Sequence, residues 1–185
     1  DIAADEFGGY WLASRDDGAF YWHPRSLAFK HISRQTTLGK NLSNDKIYQV
    51  VADQDYNLWI GTNNGLNKLN VETGTTSSYF VTDDLKASWH PGTVEQLFFD
   101  LDNPTLLWFV ASTGLNLFDT QSSKLLPLPL ADEKDRHLLQ TSYNFHATKS
   151  HGSSQLYFYN DNKVYRYTPA TGLITELEIF QQVPM

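Results

Sequence analysis

The chain has 185 residues and a formal net charge of −7, with 14 Lys and Arg against 21 Asp and Glu. A phosphate-binding surface needs a basic stripe, so this acidic balance argues against a nucleic-acid partner. The sequence has no cysteine and no apolar run long enough for a membrane-spanning helix. These absences exclude a disulfide framework, a thiolate zinc site and a helical membrane span in this region. We expect one domain with a sizeable core.

Residues 1–33 predict a first unit of four short β-strands. The predicted strands are Ile2–Ala4, Tyr10–Ser14, Ala19–Trp22 and Leu27–Ile32. Asp16-Asp17-Gly18 lies between the second and third of them and is typical of a hairpin, because Gly readily adopts a positive φ. Residues 35–45 would then cross to the next unit.

Residues 46–80 predict a second unit with the same order of strands and turns. The segment Asp53–Asn57 is predicted to be a turn, because Asp and Asn side chains cap their own backbone. Leu58–Ile60 is an apolar run suited to a buried strand, and Asn63-Asn64-Gly65 predicts the hairpin that follows it. Thr73-Gly74 marks the next turn, before a β-prone tail that ends at residue 80.

Two further units are predicted at residues 94–130 and 142–180. Residues 131–140, between them, are charged and could form one helical turn within a crossing. No segment shows helical periodicity over ten or more residues, so we expect an all-β fold.

Each unit has one aromatic residue, which we call its anchor, at or near the start of its second strand. The anchors recur at intervals of 48 or 49 residues. The anchors are Trp11, Trp59, Trp108 and Tyr157. Four copies of a four-stranded unit predict a β-propeller with four consecutive antiparallel blades. The first strand is an inner one and the last is an outer one, with no strand shared between the termini. This pattern favours a fragment of a larger propeller over a small four-bladed ring, and an exposed outer edge could support self-association.

The second unit resembles the two-component regulator propeller repeat. The resemblance is carried by Asp53, Asp55 and Asn57, by the run Leu58–Thr62, and by Gly65-Leu66-Asn67. The third unit matches through Trp108 and Gly114-Leu115-Asn116, and the first through Asp5, Trp11 and Gly18. The fourth departs from the pattern, with Tyr157 in place of Trp and no Gly in its hairpin.

The resemblance implies a periplasmic sensor region that precedes a histidine kinase or diguanylate cyclase domain. We therefore expect an extracytoplasmic part of a longer bacterial receptor, without catalytic residues or a cofactor of its own. Its partner would be a small molecule, with carbohydrate as one class, or a protein.

The candidate binding residues lie in the crossings between blades. In a propeller these crossings open on the same face as the hairpins between second and third strands, and loops on a rigid scaffold often carry binding residues. The candidates are Trp89, His90, Arg136, His137, Asn41 and Asn44. Trp89 offers a flat face that could stack on a sugar, although it could also fill a gap between blades.

The spacing of the potential metal ligands along the sequence does not predict a metal site. Asp53-x-Asp55-x-Asn57 begins like a calcium loop, but Leu58 and Asn64 stand where such a loop needs Gly and Glu, which favours a structural turn. The six histidines show no metal-binding spacing. The family is similar to streptogramin-lyase-type propellers, whose chemistry uses a metal and a histidine near the ring axis. A lyase-type enzyme with a site near His90 and His137 is therefore one alternative, and a non-catalytic interaction scaffold is another.

Overall fold

The computed structural model describes residues 1–6, 8–24, 30–34, 41–81, 92–140, 146–150, 152–160 and 163–178. In these residues the structure consists almost entirely of β-strands, arranged in four antiparallel sheets of four strands each. Within every sheet the strands pair in chain order, so each sheet is a meander. The prediction of four consecutive four-stranded antiparallel units is confirmed.

The first compact unit comprises Asp1–Phe98 and contains the first two sheets. Sheet one has the strands β1 (Ile2–Ala4), β2 (Tyr10–Ala13), β3 (Ala19–Trp22) and β4 (Lys30–Ile32). Sheet two has the strands β5 (Ile47–Ala52), β6 (Asn57–Thr62), β7 (Gly65–Asn70) and β8 (Thr76–Tyr79).

The division between the units falls inside the first strand of sheet three, and the second unit comprises Phe99–Met185. Sheet three has the strands β9 (Val94–Phe99), β10 (Leu106–Ala111), β11 (Gly114–Asp119) and β12 (Lys124–Leu126). A single 3-10 turn at Glu133–Asp135 and the helix α1 (Arg136–Leu139) follow it. Sheet four has the strands β13 (His146–Lys149), β14 (Leu156–Asn160), β15 (Lys163–Thr168) and β16 (Leu173–Leu177).

The core of the first unit lies between sheets one and two. Successive residues of a strand point to opposite faces, so alternate positions from each sheet meet in this layer. The buried members of the cluster are Trp11, Ala19, Leu42, Ile47, Val50, Leu58, Ile60 and Leu69. Each large aliphatic or aromatic side chain that is fully buried contributes about 1.5–3 kcal/mol to stability. This layer therefore holds two adjacent blades together.

The aromatic anchors occupy matching places in the second strand of each sheet. Trp11, Trp59 and Trp108 are buried, with at most 3% of their surface exposed. Tyr157 is half-buried at the corresponding place in β14. The periodicity read from the sequence therefore corresponds to a structural repeat in all four sheets.

The second unit is also aromatic at its centre. Tyr167 is fully buried in β15, and its ring meets Trp108 edge-on with the ring centroids 6.0 Å apart. Its hydroxyl donates a hydrogen bond to the Pro129 carbonyl at 2.5 Å. Phe158 and Tyr165 stack across β14 and β15 with centroids 5.0 Å apart. These contacts fix the segment that follows β12 against sheet four.

The fourth strand of sheet three is short: β12 ends at Leu126, directly before Pro127. Proline has no N–H group to donate to a ladder, so the two prolines at 127 and 129 end the pairing. The helical turn predicted within residues 131–140 is present as α1.

Candidate functional site

The segment 41–46, which we call the crossing segment, lies between sheets one and two. It accepts backbone hydrogen bonds from one hairpin of each sheet. The Gly18 amide, in the β2–β3 hairpin, donates to the Asp45 carbonyl at 2.9 Å. The Asn63 amide, in the β6–β7 hairpin, donates to the Lys46 carbonyl at 3.0 Å. The crossing and both hairpins therefore share one end of the blades, which we call the crossing face.

A buried polar cluster fixes the crossing segment to sheet two. The side-chain oxygen of Asn67 accepts hydrogen bonds from the Ser43 amide at 2.9 Å and from the Ser78 hydroxyl at 2.8 Å. Its amide nitrogen donates to the Ser43 hydroxyl at 2.8 Å, and that hydroxyl lies 3.1 Å from the Thr62 hydroxyl. Asn67 and Thr62 are fully buried. Buried polar groups with satisfied hydrogen bonds thus fix the crossing segment in one conformation.

Sequence reasoning missed this cluster, although a signal for it was present. Asn67 is directly opposite Ile60 in the β6–β7 ladder, so it occupies a position where the alternation calls for an apolar residue. A buried amide at such a position needs hydrogen-bonding partners. The partners come from the crossing segment, 24 residues away in the chain.

Asn41 and Asn44 lie in the crossing segment. Asn41 is exposed, and Asn44 is half-buried with its side-chain oxygen accepting a hydrogen bond from the Lys46 amide at 2.8 Å. Asn44 therefore shapes the loop, while Asn41 presents its amide to solvent.

Arg136 and His137 lie in α1. The guanidinium of Arg136 donates to both carboxylate oxygens of Glu133, at 2.7 and 2.8 Å. These hydrogen bonds hold the pKa of Glu133 below its usual value. His137 is exposed, and its Nδ1 lies 2.5 Å from the Lys134 carbonyl oxygen, which can only accept a hydrogen bond. Nδ1 therefore carries the proton, and an anionic ligand of Arg136 would compete with Glu133.

The structure places these four candidates in two pairs. Asn41 and Asn44 belong to the first compact unit, and Arg136 and His137 to the second. Trp89 and His90 lie outside the described residues. That all six form one site stays a prediction.

The Asp-x-Asp-x-Asn motif forms a turn whose first carboxylate is occupied by internal donors. Asp53 accepts hydrogen bonds from the amides of Asp55 and Asn57, at 2.9 and 2.8 Å, and from the Trp59 indole at 3.0 Å. Asp100 accepts in the same way from the Trp108 indole at 2.9 Å. The motif thus connects the turn to the buried anchor. Among the described residues, no group of three His, Asp or Glu side chains could hold a metal ion.

Helices in the described part of the chain are too short to cross a membrane.

Four meander sheets of four strands each, one after another along the chain, are the strand arrangement of a β-propeller. The sequence comparison agrees with it, since residues 41–64 match the family described as Two component regulator propeller. The matched residues run from the crossing segment through β5 and β6 to the hairpin between β6 and β7. The resemblance seen in the second repeat is confirmed. A comparison with curated proteins finds no match.

Solved structures show the same fold. The extracellular domain of BT4673 from B. thetaiotaomicron, assigned as a hybrid two component system, superposes with a TM-score of 0.74 at 16% identity. The alignment covers 95% of this chain and 24% of that one. The corresponding domain of BT3049 from the same bacterium gives a TM-score of 0.70 at 18% identity, covering 96% of this chain and 24% of that one. The chain thus spans about a quarter of the length of these two structures.

A binding protein shares the architecture at lower similarity. An auxiliary nutrient binding protein from Bacteroides ovatus gives a TM-score of 0.61 at 9% identity, covering 94% of this chain and 40% of that one. At these identities the likeness shows the fold, and function has to be argued from the site.

Proposed function

We propose that this chain is the extracytoplasmic sensing region of a two-component-type receptor, and that it binds a small molecule or a protein partner on its crossing face. The observation that carries the proposal is the match of residues 41–64 to the two component regulator propeller family. The likeness of nearly the whole chain to extracellular domains assigned to hybrid two component systems supports it.

The chemistry of the proposed site suits an uncharged, hydrogen-bonding ligand. Asn41 offers an exposed amide, and the N–H of His137 is engaged while its Nε2 atom can meet a ligand from solvent. Arg136 is paired with Glu133, so a strongly anionic ligand is not required to balance it. Sugar hydroxyls meet these amide and imidazole groups well, and Trp89 would add a stacking surface. We therefore propose an oligosaccharide as the first class to test.

The crossing segment provides a route from the ligand to the blades. It is hydrogen-bonded to the hairpins of two sheets and to buried Asn67, so a ligand that moves it must change the packing of both blades. A signal also requires that the ligand bind one arrangement of the receptor more tightly than another. The output domain would lie outside this region, and the region itself would carry no catalytic group.

The test uses the full-length gene product in membrane vesicles. Phosphate transfer from ATP is measured with and without a panel of uncharged oligosaccharides, for the parent and for Asn41→Ala and His137→Ala. We expect one sugar to change phosphorylation at least threefold and both variants to need at least tenfold more of it. Val71→Ala, in the turn after β7, is the control and should respond like the parent. Responses that both variants leave unchanged, or cleavage of the sugar, would overturn the proposal, and cleavage would favour an enzyme.

A further inference from the structure

A β-bulge places Tyr48 beside the crossing segment. The register of the β5–β6 ladder shifts between Ile47 and Gln49, which leaves Tyr48 as an extra residue in β5. Ile47 and Val50 are three residues apart, so in a regular strand they would point to opposite faces. The extra residue allows both to join the core layer of the first unit. Bulges are over-represented next to active sites, where they re-aim a side chain.

Two groups fix the Tyr48 side chain. Its hydroxyl donates a hydrogen bond to Oδ1 of Asn63, in the β6–β7 hairpin, at 3.1 Å. The Lys46 ammonium, at the end of the crossing segment, lies 5.2 Å from the centroid of the Tyr48 ring, which is the range of a cation–π contact. The backbone of Asn63 is also held, because its amide donates to the Lys46 carbonyl at 3.0 Å and its carbonyl accepts from the Thr93 hydroxyl at 3.4 Å. Lys46, Tyr48 and Asn63, which we call the tyrosine cluster, are therefore preorganised on the crossing face.

The tyrosine cluster has hydrogen-bonding groups that the described part of the chain does not use. Within that part, neither the Lys46 ammonium nor the Nδ2 atom of Asn63 has a hydrogen-bond acceptor. Both nitrogens reach solvent, because the Trp11 indole nitrogen is the only buried side-chain N or O atom that lacks a partner among the described residues. The Tyr48 hydroxyl gives its proton to Asn63, so its oxygen can only accept a further hydrogen bond. The cluster thus offers N–H donors from two residues together with one acceptor oxygen.

We infer that the tyrosine cluster binds two adjacent hydroxyl groups of an uncharged sugar. One hydroxyl accepts a hydrogen bond from Lys46 and the other accepts one from Asn63, while one of the two donates to the Tyr48 oxygen. A hydroxyl is both a donor and an acceptor, so a pair of hydroxyls matches both kinds of group in the cluster. A carboxylate only accepts, and it would leave the Tyr48 oxygen without a donor. The inference rests on the proposed function, because it takes the crossing face as the surface that binds a sugar.

The test measures sugar binding and phosphate transfer with the full-length gene product in membrane vesicles. The probes are uncharged hexasaccharides of glucose, mannose, galactose and xylose, and the hexamer of galacturonic acid is the anionic probe. Tyr48→Phe retains the ring beneath Lys46 and removes the acceptor oxygen, whereas Lys46→Met keeps most of the aliphatic chain and removes the donors. Tyr56→Phe, in the β5–β6 turn, and Lys124→Met, at an exposed position in β12, are the matched controls.

We expect at least one neutral probe to bind the parent and both controls equally. Tyr48→Phe should bind that probe at least threefold more weakly, and Lys46→Met at least tenfold more weakly. The monodeoxy analogue that lacks the donating hydroxyl should bind the parent and Tyr48→Phe with equal affinity, because the lost hydrogen bond is the same one. A purely structural role of Tyr48 would instead weaken the binding of both sugars in the variant.

Several results would overturn the inference. They are the absence of binding by every neutral probe, losses in the two variants no larger than in the controls, equal weakening of the sugar and all its monodeoxy analogues by Tyr48→Phe, and tighter binding of the galacturonic acid hexamer than of every neutral probe. Phosphate transfer separates this inference from the proposed function. A neutral probe that binds through the cluster without changing phosphorylation would contradict sensing alone. A probe that changes phosphorylation of both variants as it does in the parent would contradict the role of the cluster alone.

Discussion

Asp53 accepts hydrogen bonds from two turn amides, from the Asn57 side chain and from the Trp59 indole. The ammonium group of Lys68 lies 3.9 Å from the same carboxylate and 5.2 Å from the Trp59 ring centroid. The Asp53 side chain therefore closes the turn and also accepts a hydrogen bond from the indole N–H, the only polar group in the Trp59 side chain. Its oxygens accept hydrogen bonds from groups of this chain, which agrees with the prediction of a structural turn.

We expect Asp53→Ala to lower the free energy of unfolding by about 2–3 kcal/mol, because several donors lose their acceptor and one of them is buried. Urea denaturation of the purified chain measures the change. Asp55→Ala is the control, since Asp55 is exposed and contributes its backbone amide to the turn. A loss for Asp53→Ala no greater than that of the control would show that the carboxylate does not stabilise the anchor.

Trp11 lacks this arrangement. Its indole nitrogen is buried and has no hydrogen-bond partner among the residues that the structure describes. The equivalent carboxylate, Asp5, accepts from the Gly9 amide at 2.7 Å and interacts with the Tyr21 hydroxyl, whose pKa is raised by burial and by Asp5. An orphaned buried donor costs about 1–3 kcal/mol, so the first blade is less well stabilised than the second at its anchor.

Local residue chemistry is the part of this structure that the sequence predicted best. The turn at Asp53 and the hairpin at Gly65 depend on residues within a few positions of one another. The Asn67 cluster depends on Ser43, which is 24 residues away in the chain, so spacing within one repeat could not reveal it. Arg136 illustrates the limit for site residues, because its pairing with Glu133 is visible only once the 3-10 turn and α1 bring the two side chains together.

At the scale of the elements, β6 approaches β9 so closely that no side chain fits between them at Gly61. A Cβ atom on Gly61 would lie 2.6 Å from the Val94 carbonyl oxygen, which belongs to the backbone and cannot rotate away. The close approach packs the backbone of β6 directly against the backbone at the start of β9.

We expect Gly61→Ala to destabilise the chain by about 3 kcal/mol, since it forces two strands apart. Gly74→Ala is the control: Gly74 has a positive φ of 67° but open space around it, so it should cost about 1 kcal/mol. Thermal or urea unfolding gives both values. Equal losses for the two variants would contradict the close approach of β6 and β9.

Tyr167 couples the fourth sheet to the segment after β12. Burial raises the pKa of its hydroxyl well above the ordinary value of 10.0. The neutral phenol is therefore favoured in the folded state, and the resulting stability is fully present below about pH 10 and is lost as the pH rises further.

We predict that the free energy of unfolding falls as the pH increases above about 10, and that Tyr167→Phe makes this fall shallower. At neutral pH the variant should lose about 1–2 kcal/mol, because the Pro129 carbonyl loses its donor. Urea denaturation across the alkaline range tests both effects. Tyr10→Phe, at an exposed tyrosine, is the control and should follow the parent; a Tyr167→Phe curve parallel to that of the parent would be inconsistent with this role.

The fourth sheet departs from the repeat at two linked positions. Ser150 follows β13 where Asp53 follows β5, and Tyr157 replaces the tryptophan anchor. The Tyr157 hydroxyl donates to the Gln155 side chain at 3.2 Å instead of to a turn carboxylate. The anchor and its acceptor have therefore changed together, and the sheet still forms four paired strands.

At the scale of the whole molecule, the repeat encodes the packing of the blades: in the first unit, the side of sheet one that carries Trp11 packs against sheet two. The fold could therefore be predicted from an aromatic period. A binding site depends on loops that differ from one repeat to the next, so the period does not encode it. The candidate residues come from crossings in two compact units, and that they form one site stays a prediction.

The most direct test of sensing at the crossing face is amide hydrogen exchange of the full-length receptor, with and without an oligosaccharide that changes its phosphorylation. We predict slower exchange in the crossing segment and in residues 136–140 when the sugar is bound. Protection confined to the turns at residues 71–75 and 120–123, with exchange in the crossing segment unchanged, would contradict this account.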